Sequence, residues 1–350
     1  MTQLTLFQEP NAALVGAINK LANAHLDAPC YTKFIHELTA LMLTQRRGSV
    51  ILAAVPNGFA TRNICESIQD YFDAAKKHPT TSPEIEIATL EIPHTQNIRA
   101  QHKQLANIYS NLSFLSHRRR PQFELDFPEG FSRPDPLQQI CGTIKSRCIS
   151  HYLVRNAHYL SPSGSPVCNG VNQLRFIAQL AAQSEKTHVL FTNASKVCDW
   201  LSDAEIASEF SVSWLRPYIK KDKNSFWEFQ GILNSYDSIL PRDPDFKLLK
   251  HADDVIDVVS GCPYRLNKWL IAALTLAQST GAASINWQDL CNAQPTLFER
   301  KHALLEAKKI YLNCSAFGAP THNTTPKSDL KPGQSALGRD DVPQSDESAA

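Results

Sequence analysis

Sequence motifs that announce metal, dithiol or serine-nucleophile chemistry are missing from this chain. None of its nine cysteines forms a Cys-x-x-Cys pair, and none of its twelve histidines takes His-x-x-x-His spacing. The compact zinc and redox signatures are therefore excluded. There is no G-x-S-x-G elbow, so no strand-to-helix serine nucleophile is marked. An excess of one charge is missing too: 35 Lys and Arg face 34 Asp and Glu, for a net charge of +1. Nucleic acid would then be attracted only by a local patch. No apolar run reaches the roughly 18–20 residues of a membrane helix. The opening MTQLTLFQEPNAAL lacks a basic-then-apolar leader layout. With an odd number of scattered cysteines, that opening leads us to expect a cytoplasmic protein with reduced thiols, most of them small buried hydrophobes.

What is present is the composition of a soluble globular protein. Hydrophobic residues make up 43% and charged residues 20% of 350 positions, enough for one large or two modest domains with a substantial core. AALVGAINKLANAHL and YTKFIHELTALMLTQ have helical apolar spacing. SVILAAV (49–55) has the length of a buried strand, PNGF marks a turn, and ATRNICESIQDYFDAAKK returns to helical spacing. Strand, tight turn and helix form the first half of a βαβ unit. IEIATLEI (85–92), CISHYLV (148–154) and THVLFTN (187–193) read as further strands, with helices DPLQQICGTIKS and VNQLRFIAQLAAQS between them. Four strands alternating with helices imply a mostly parallel sheet covered on both faces.

After about residue 222 strands stop. NSFWEFQGILNSYDSIL, FKLLKHADDVIDVVSG, YRLNKWLIAALTLAQSTG and FERKHALLEAKKIYL all read as helices. From Gly318 to Ala350 there are no aromatics, and Pro, Ser, Thr, Asp and Gly dominate, the composition of a disordered tail. The expected organisation is N-terminal helices leading into the core (1–48), an α/β domain (49–221), a helical lid domain (222–317) and the tail (318–350).

Five stretches carry a resemblance to a known family. They are SVILAAVPNGFATRNICESI in a phosphate-loop position, LVRNAHYL, QLRFIAQLAAQSEKTHVLFTN, EFSVSWLRPY, and SGCPYRLNKWLIAALTLAQSTGAASINWQDL. In this order, over roughly residues 35–295, the chain resembles the TniB/TnsC-type AAA+ ATPases that help transposases choose a target. The resemblance implies a P-loop NTPase-like parallel sheet with helices on both faces, followed by a small helical lid.

The same resemblance makes the departures readable. A working phosphate loop is G-x-x-x-x-G-K-[ST]: glycines let backbone N–H groups curl around phosphate, lysine neutralises it, and the hydroxyl holds magnesium. Here Val55 and Ala60 replace the two glycines, Thr61 the lysine and Arg62 the hydroxyl, while Pro56 removes a backbone donor. Only Gly58 is kept. In LVRNAHYL, Arg155 stands where an acid would help hold magnesium, and Asn156 where an acid would activate water. A guanidinium binds no metal and an amide is no general base. Glu209 falls where an arginine would reach a neighbour's nucleotide. The remaining nucleotide-site remnants are Asn193, at a polar sensor position, and Arg265, at the sensor position of the lid. Each has a plainer reading. Arg62 also fits a solvated first-turn arginine, Asn193 a strand-end turn residue, Arg265 a surface residue at a helix start, and His158 a structural histidine.

The resemblance and these losses together imply a catalytically inactive AAA+-like accessory protein, a pseudo-ATPase of a mobile element. No catalytic residue, metal or cofactor is expected. Partners would be a transposase, a target-site adaptor or an active paralogue, in a homo- or hetero-oligomer and away from membranes. DNA contact would fall to Arg118, Arg119 and Arg120, and to Lys220, Lys221 and Lys223, clusters that otherwise serve as solvated faces. Two alternatives stay open: an active, atypical NTPase completed by a partner chain, and a regulatory or defence-type interaction protein unrelated to transposition.

Overall fold

Six consecutive apolar residues form β1 (Val50–Val55), and all six are buried. A strand apolar on both faces has to lie inside a sheet covered on both sides, and β1 does. It pairs in parallel with β4 (Thr187–Asn193) on one side and β5 (Ser211–Trp214) on the other. β2 (Ile87–Glu91) and β3 (His151–Arg155) complete a five-stranded sheet of order β2-β3-β4-β1-β5, every pair parallel. This computed structural model describes residues 11–24, 27–57, 59, 61–76, 85–92, 141–142, 144–145, 147–160 and 170–316. Gly58, the basic run 117–120, most of the expected helix 135–146 and the tail 318–350 lie outside the described residues.

The helices in chain order are α1 (Ala12–Ala24), α2 (Pro29–Thr44), α3 (Thr61–Lys76), α4 (Val171–Ser184), α5 (Ala194–Leu201) and α6 (Ala204–Glu209). After β5 come α7 (Lys223–Ile239), α8 (Ala252–Val259), α9 (Pro263–Ser279), α10 (Trp287–Asn292) and α11 (Leu297–Ala316). Alternating β1 side chains serve two cores, as the two-residue period of a strand requires. Ile51, Ala53 and Val55 join α1, α2, α3 and α7 to α10, whereas Val50, Leu52 and Ala54 join α4, α5, α6 and Ile310 of α11. The architecture is the P-loop NTPase-like α/β sheet and following helices that the resemblance implies.

Three features go beyond the sequence expectation. The sheet has a fifth strand, β5, too short and too polar (SVSW) to signal itself; pairing with β1 from Ile51↔Ser211 to Ala54↔Trp214 creates it. α1 packs against α9, with Leu14 and Leu21 fully buried and the Asn267 amide donating to the Leu21 carbonyl. Two short helices, α5 and α6, intervene between β4 and β5.

The C-terminal helices are tied by a backbone contact to the segment that follows β5, and that segment to α2 by a side chain. Tyr218 N–H donates to the Gly261 carbonyl at 2.8 Å, and the Tyr218 hydroxyl accepts from Cys30 N–H at 3.0 Å. Gly261 has φ +68°, and a Cβ there would lie 1.9 Å from the Tyr218 carbonyl oxygen, so this crossing requires glycine.

Candidate functional site

In an open parallel sheet, ligands bind beyond the carboxyl ends of the strands. Because all five strands here are parallel, the ends of β1, β3 and β4 share one edge. Register sets Val55 beside Asn193, and Glu91 beside Arg155. The structure therefore brings the turn after β1, Arg155, Asn156 and Asn193 to one edge of the sheet.

The turn itself is filled. β1 ends at Val55, and Phe59 N–H closes on the Pro56 carbonyl at 3.1 Å. Phe59 is buried, stacked on Tyr31 of α2 at 5.2 Å and edge-on to Tyr264 of α9 at 4.9 Å. Aromatic pairs of this geometry are worth about 0.5–1.5 kcal/mol beyond their burial, and they pin the turn to the lid helix.

The N–H of Asn57 donates to Glu306 Oε1 at 2.9 Å. Glu306 belongs to α11, a helix that crosses from α8 to α5 over this edge. Its other oxygen, Oε2, pairs with Arg265 Nη2 at 2.5 Å, with side-chain exposures of 20% for Arg265 and 6% for Glu306. One carboxylate thus joins the turn to Arg265. Burial pushes the Glu306 carboxyl up, although Arg265 and the Asn57 N–H pull it down. Desolvation outweighs the pairing here, as is common for buried ion pairs.

Most of the other predicted residues have partners close by. Arg62 is exposed and pairs with Glu66 one turn along its own helix at 2.7 Å, so its charge is directed along α3. Thr61, the first residue of α3, is buried and accepts a long 3.5 Å hydrogen bond from Arg155 Nε. Arg155 lies 3.3 Å from Glu91 Oε2. Asn156 has φ 58°, a left-handed conformation asparagine tolerates, and its Nδ2 donates to Glu91 Oε1 at 2.8 Å. Asn193 caps α5, its Oδ1 accepting from Lys196 N–H at 2.9 Å. His158 sits on a one-turn 3-10 helix with its ring against Tyr159. Glu209 is exposed at the end of α6.

No nucleophile emerges from the cysteines near this edge. Burial pushes the Cys65 and Cys30 thiols up to about 12, where thiolate is scarce. Among the described residues, no three His, Cys, Asp or Glu side chains gather as a metal site, and no helix is long and apolar enough to cross a membrane. Of the candidate DNA-contacting lysines, Lys220 is bridged to Asp253 at 3.0 Å and Asp257 at 3.1 Å. Lys221 and Lys223 are exposed. Arg118, Arg119 and Arg120 lie outside the described residues.

Three site residues, Phe59, Glu91 and Glu306, are not singled out by sequence reasoning. Glu306 did leave a trace: it lies between Ala303 and Ile310 at three- and four-residue spacing, the buried face of α11.

No family model matches the chain, and no curated protein matches it. Solved structures similar in fold include Drosophila ORC bound to DNA, at 13% identity and a TM-score of 0.48, over 84% of this chain and 68% of that one. Cdc6p from Pyrobaculum aerophilum aligns at 12% identity and 0.47, over 76% and 66%. Domain III of the replication initiation protein DnaA from Thermotoga maritima aligns at 11% and 0.42, over 82% and 97%. Similarities of this degree say nothing about activity; the sheet order and the site geometry are features of this chain itself.

Proposed function

We propose that this chain is a catalytically inactive AAA+-like protein that acts by binding. The carrying observation is the Glu306 carboxylate, which takes up the backbone N–H of the phosphate-loop turn and the sensor-position arginine together. A phosphate would need the same two donors. Phe59 packs between Tyr31 and Tyr264, lysine and metal-binding hydroxyl are replaced, and Arg155 and Asn156 are held by Glu91. This residue set does not fit a magnesium nucleotide, and no phosphoryl-transfer step is assigned to it.

In this reading the fold is a scaffold retained for assembly. The resemblance supports a role in transposition, joining a transposase to a target-site adaptor or tuning an active paralogue, and the scattered cysteines support a cytoplasmic setting. Phosphate release from ATP by the purified protein tests the inactivity. Blank-level release is expected, with and without magnesium and an active homologue; turnover abolished by Arg62→Ala or Asn156→Ala would overturn it. DNA contact is a separate arm. Lys221→Ala with Lys223→Ala should weaken duplex binding and reduce its salt slope by about two charges. Lys220→Ala should change it less, because two aspartates already pair that lysine. Equal effects, or salt-insensitive binding, would count against contact through this cluster.

A further inference from the structure

Among the described residues, α11 carries apolar side chains on two opposite faces, one buried and one exposed. Ala303, Glu306 and Ile310 face inward and are buried, and Asn313 Nδ2 on the same side reaches Cys198 Sγ at 3.1 Å. On the other side Leu297, Phe298, Leu304, Leu305, Tyr311 and Leu312 are 47–70% exposed. These are three adjacent pairs repeated every seven residues, so they form a straight ridge along the helix. At about 100° per residue they span an arc of about 140°, opposite the buried face. Exposed large hydrophobics so regularly spaced mark an interaction surface.

Charge selects the occupant. Lys301 and Lys308 are exposed and fall at the centre of the same arc, where their stems extend the apolar ridge and their ammonium groups reach its rim. A second copy of this helix is a poor fit. Antiparallel pairing centred between Leu304 and Leu305 sets Lys301 opposite Lys308 twice, and parallel pairing sets each lysine opposite itself. A helix with its own heptad-spaced apolar residues, flanked by Asp or Glu, matches both ridge and charge. The heptad spacing favours such a helix over a lipid surface, which needs no register.

We propose that the outer face of α11 is the docking surface for an acidic amphipathic helix of a partner protein. The inner contacts through Glu306 and Asn313 hold α11 on the fold, so the ridge is presented already ordered, which lowers the cost of binding. This surface is independent of whether the nucleotide site is active.

The test uses the full chain and two labelled synthetic helices of about four heptads, with leucine at a and d. One carries glutamate at e and g and the other lysine. Fluorescence anisotropy should show saturable binding of the acidic probe, at least about tenfold tighter than the basic one at low salt. Leu304→Glu with Leu305→Glu should abolish it, and Lys301→Glu with Lys308→Glu should reverse the preference. Unchanged urea midpoints establish that each variant is folded; if the leucine variant is not, the lysine variant decides alone. Absence of binding, equal binding of both probes, or indifference to these substitutions overturns the proposal. So does a dimer in sedimentation that Leu305→Glu dissolves, which would assign the face to a second copy. Preference for phosphatidylserine vesicles over the acidic probe would assign it to lipid and overturn the proposal as well.

Discussion

Replacing Glu306 by alanine removes a carboxylate of α11 that holds both the Asn57 N–H of the turn after β1 and Arg265 of α9. The loss falls in two parts. Arg265 is left without its carboxylate partner, and breaking a buried pair from one side typically costs about 3–5 kcal/mol. One fifth of the Arg265 side chain is exposed, so water recovers part of this, leaving about 2–4 kcal/mol. The Asn57 N–H also loses its acceptor, adding about 0.5–1.5 kcal/mol. Glu306→Ala should therefore lower stability by about 3–5 kcal/mol. Glu306→Leu combined with Arg265→Met removes both charges and should cost much less than Glu306→Ala, because burial already penalises the ionised carboxyl. Urea unfolding followed by tryptophan fluorescence reads these values from midpoints at constant slope. A Glu306→Ala loss below about 0.5 kcal/mol would refute the geometry. So would single-variant losses that simply add in the double variant, since residues in direct contact are expected to couple.

Two further predictions concern the sheet and the lid junction. His188 on β4 is fully buried, and burial holds its pKa down at about 4. The folded value lies below the unfolded one of about 6.5, so stability is complete above pH 6.5 and is lost as pH falls toward 4. The full shift is worth about 3 kcal/mol, and His188→Phe should flatten most of this slope in urea midpoints between pH 7 and 4.5. An unchanged slope would place the acid sensitivity elsewhere. Gly261→Ala must move the Tyr218 backbone and hold alanine at φ +68°, so we expect a loss of at least about 2 kcal/mol. Wild-type thermal stability in that variant would contradict the close approach.

Where sequence and structure agree, local pattern and tertiary demand coincide. THVLFTN is β4 to the residue and VNQLRFIAQLAAQS is α4 to the residue, because each run's apolar period already matches the faces it buries. β5 was not legible: Ser211 and Ser213 carry no strand signal, and β1 supplies the pairing that makes them one. The strand-end positions of Arg155 and Asn193 could be read, but not their partners. Glu91 is 64 residues before Arg155, and parallel pairing of β2 with β3 alone brings the two together. Glu306 was hidden for a different reason. An acid on a helix reads as solvated until that helix crosses an edge lined with unsatisfied donors, and the position of α11 depends on everything folded before it. The heptad pairs on its outer face, by contrast, stand in the sequence, but only the structure distinguishes the covered face from the open one.

Calorimetric titration of the full chain with magnesium ATP is the most direct measurement of whether this site still takes nucleotide. A turn already occupied by Phe59 and Glu306 predicts heats indistinguishable from dilution. Saturable heat in the wild-type protein, lost on Arg265→Ala, would contradict it.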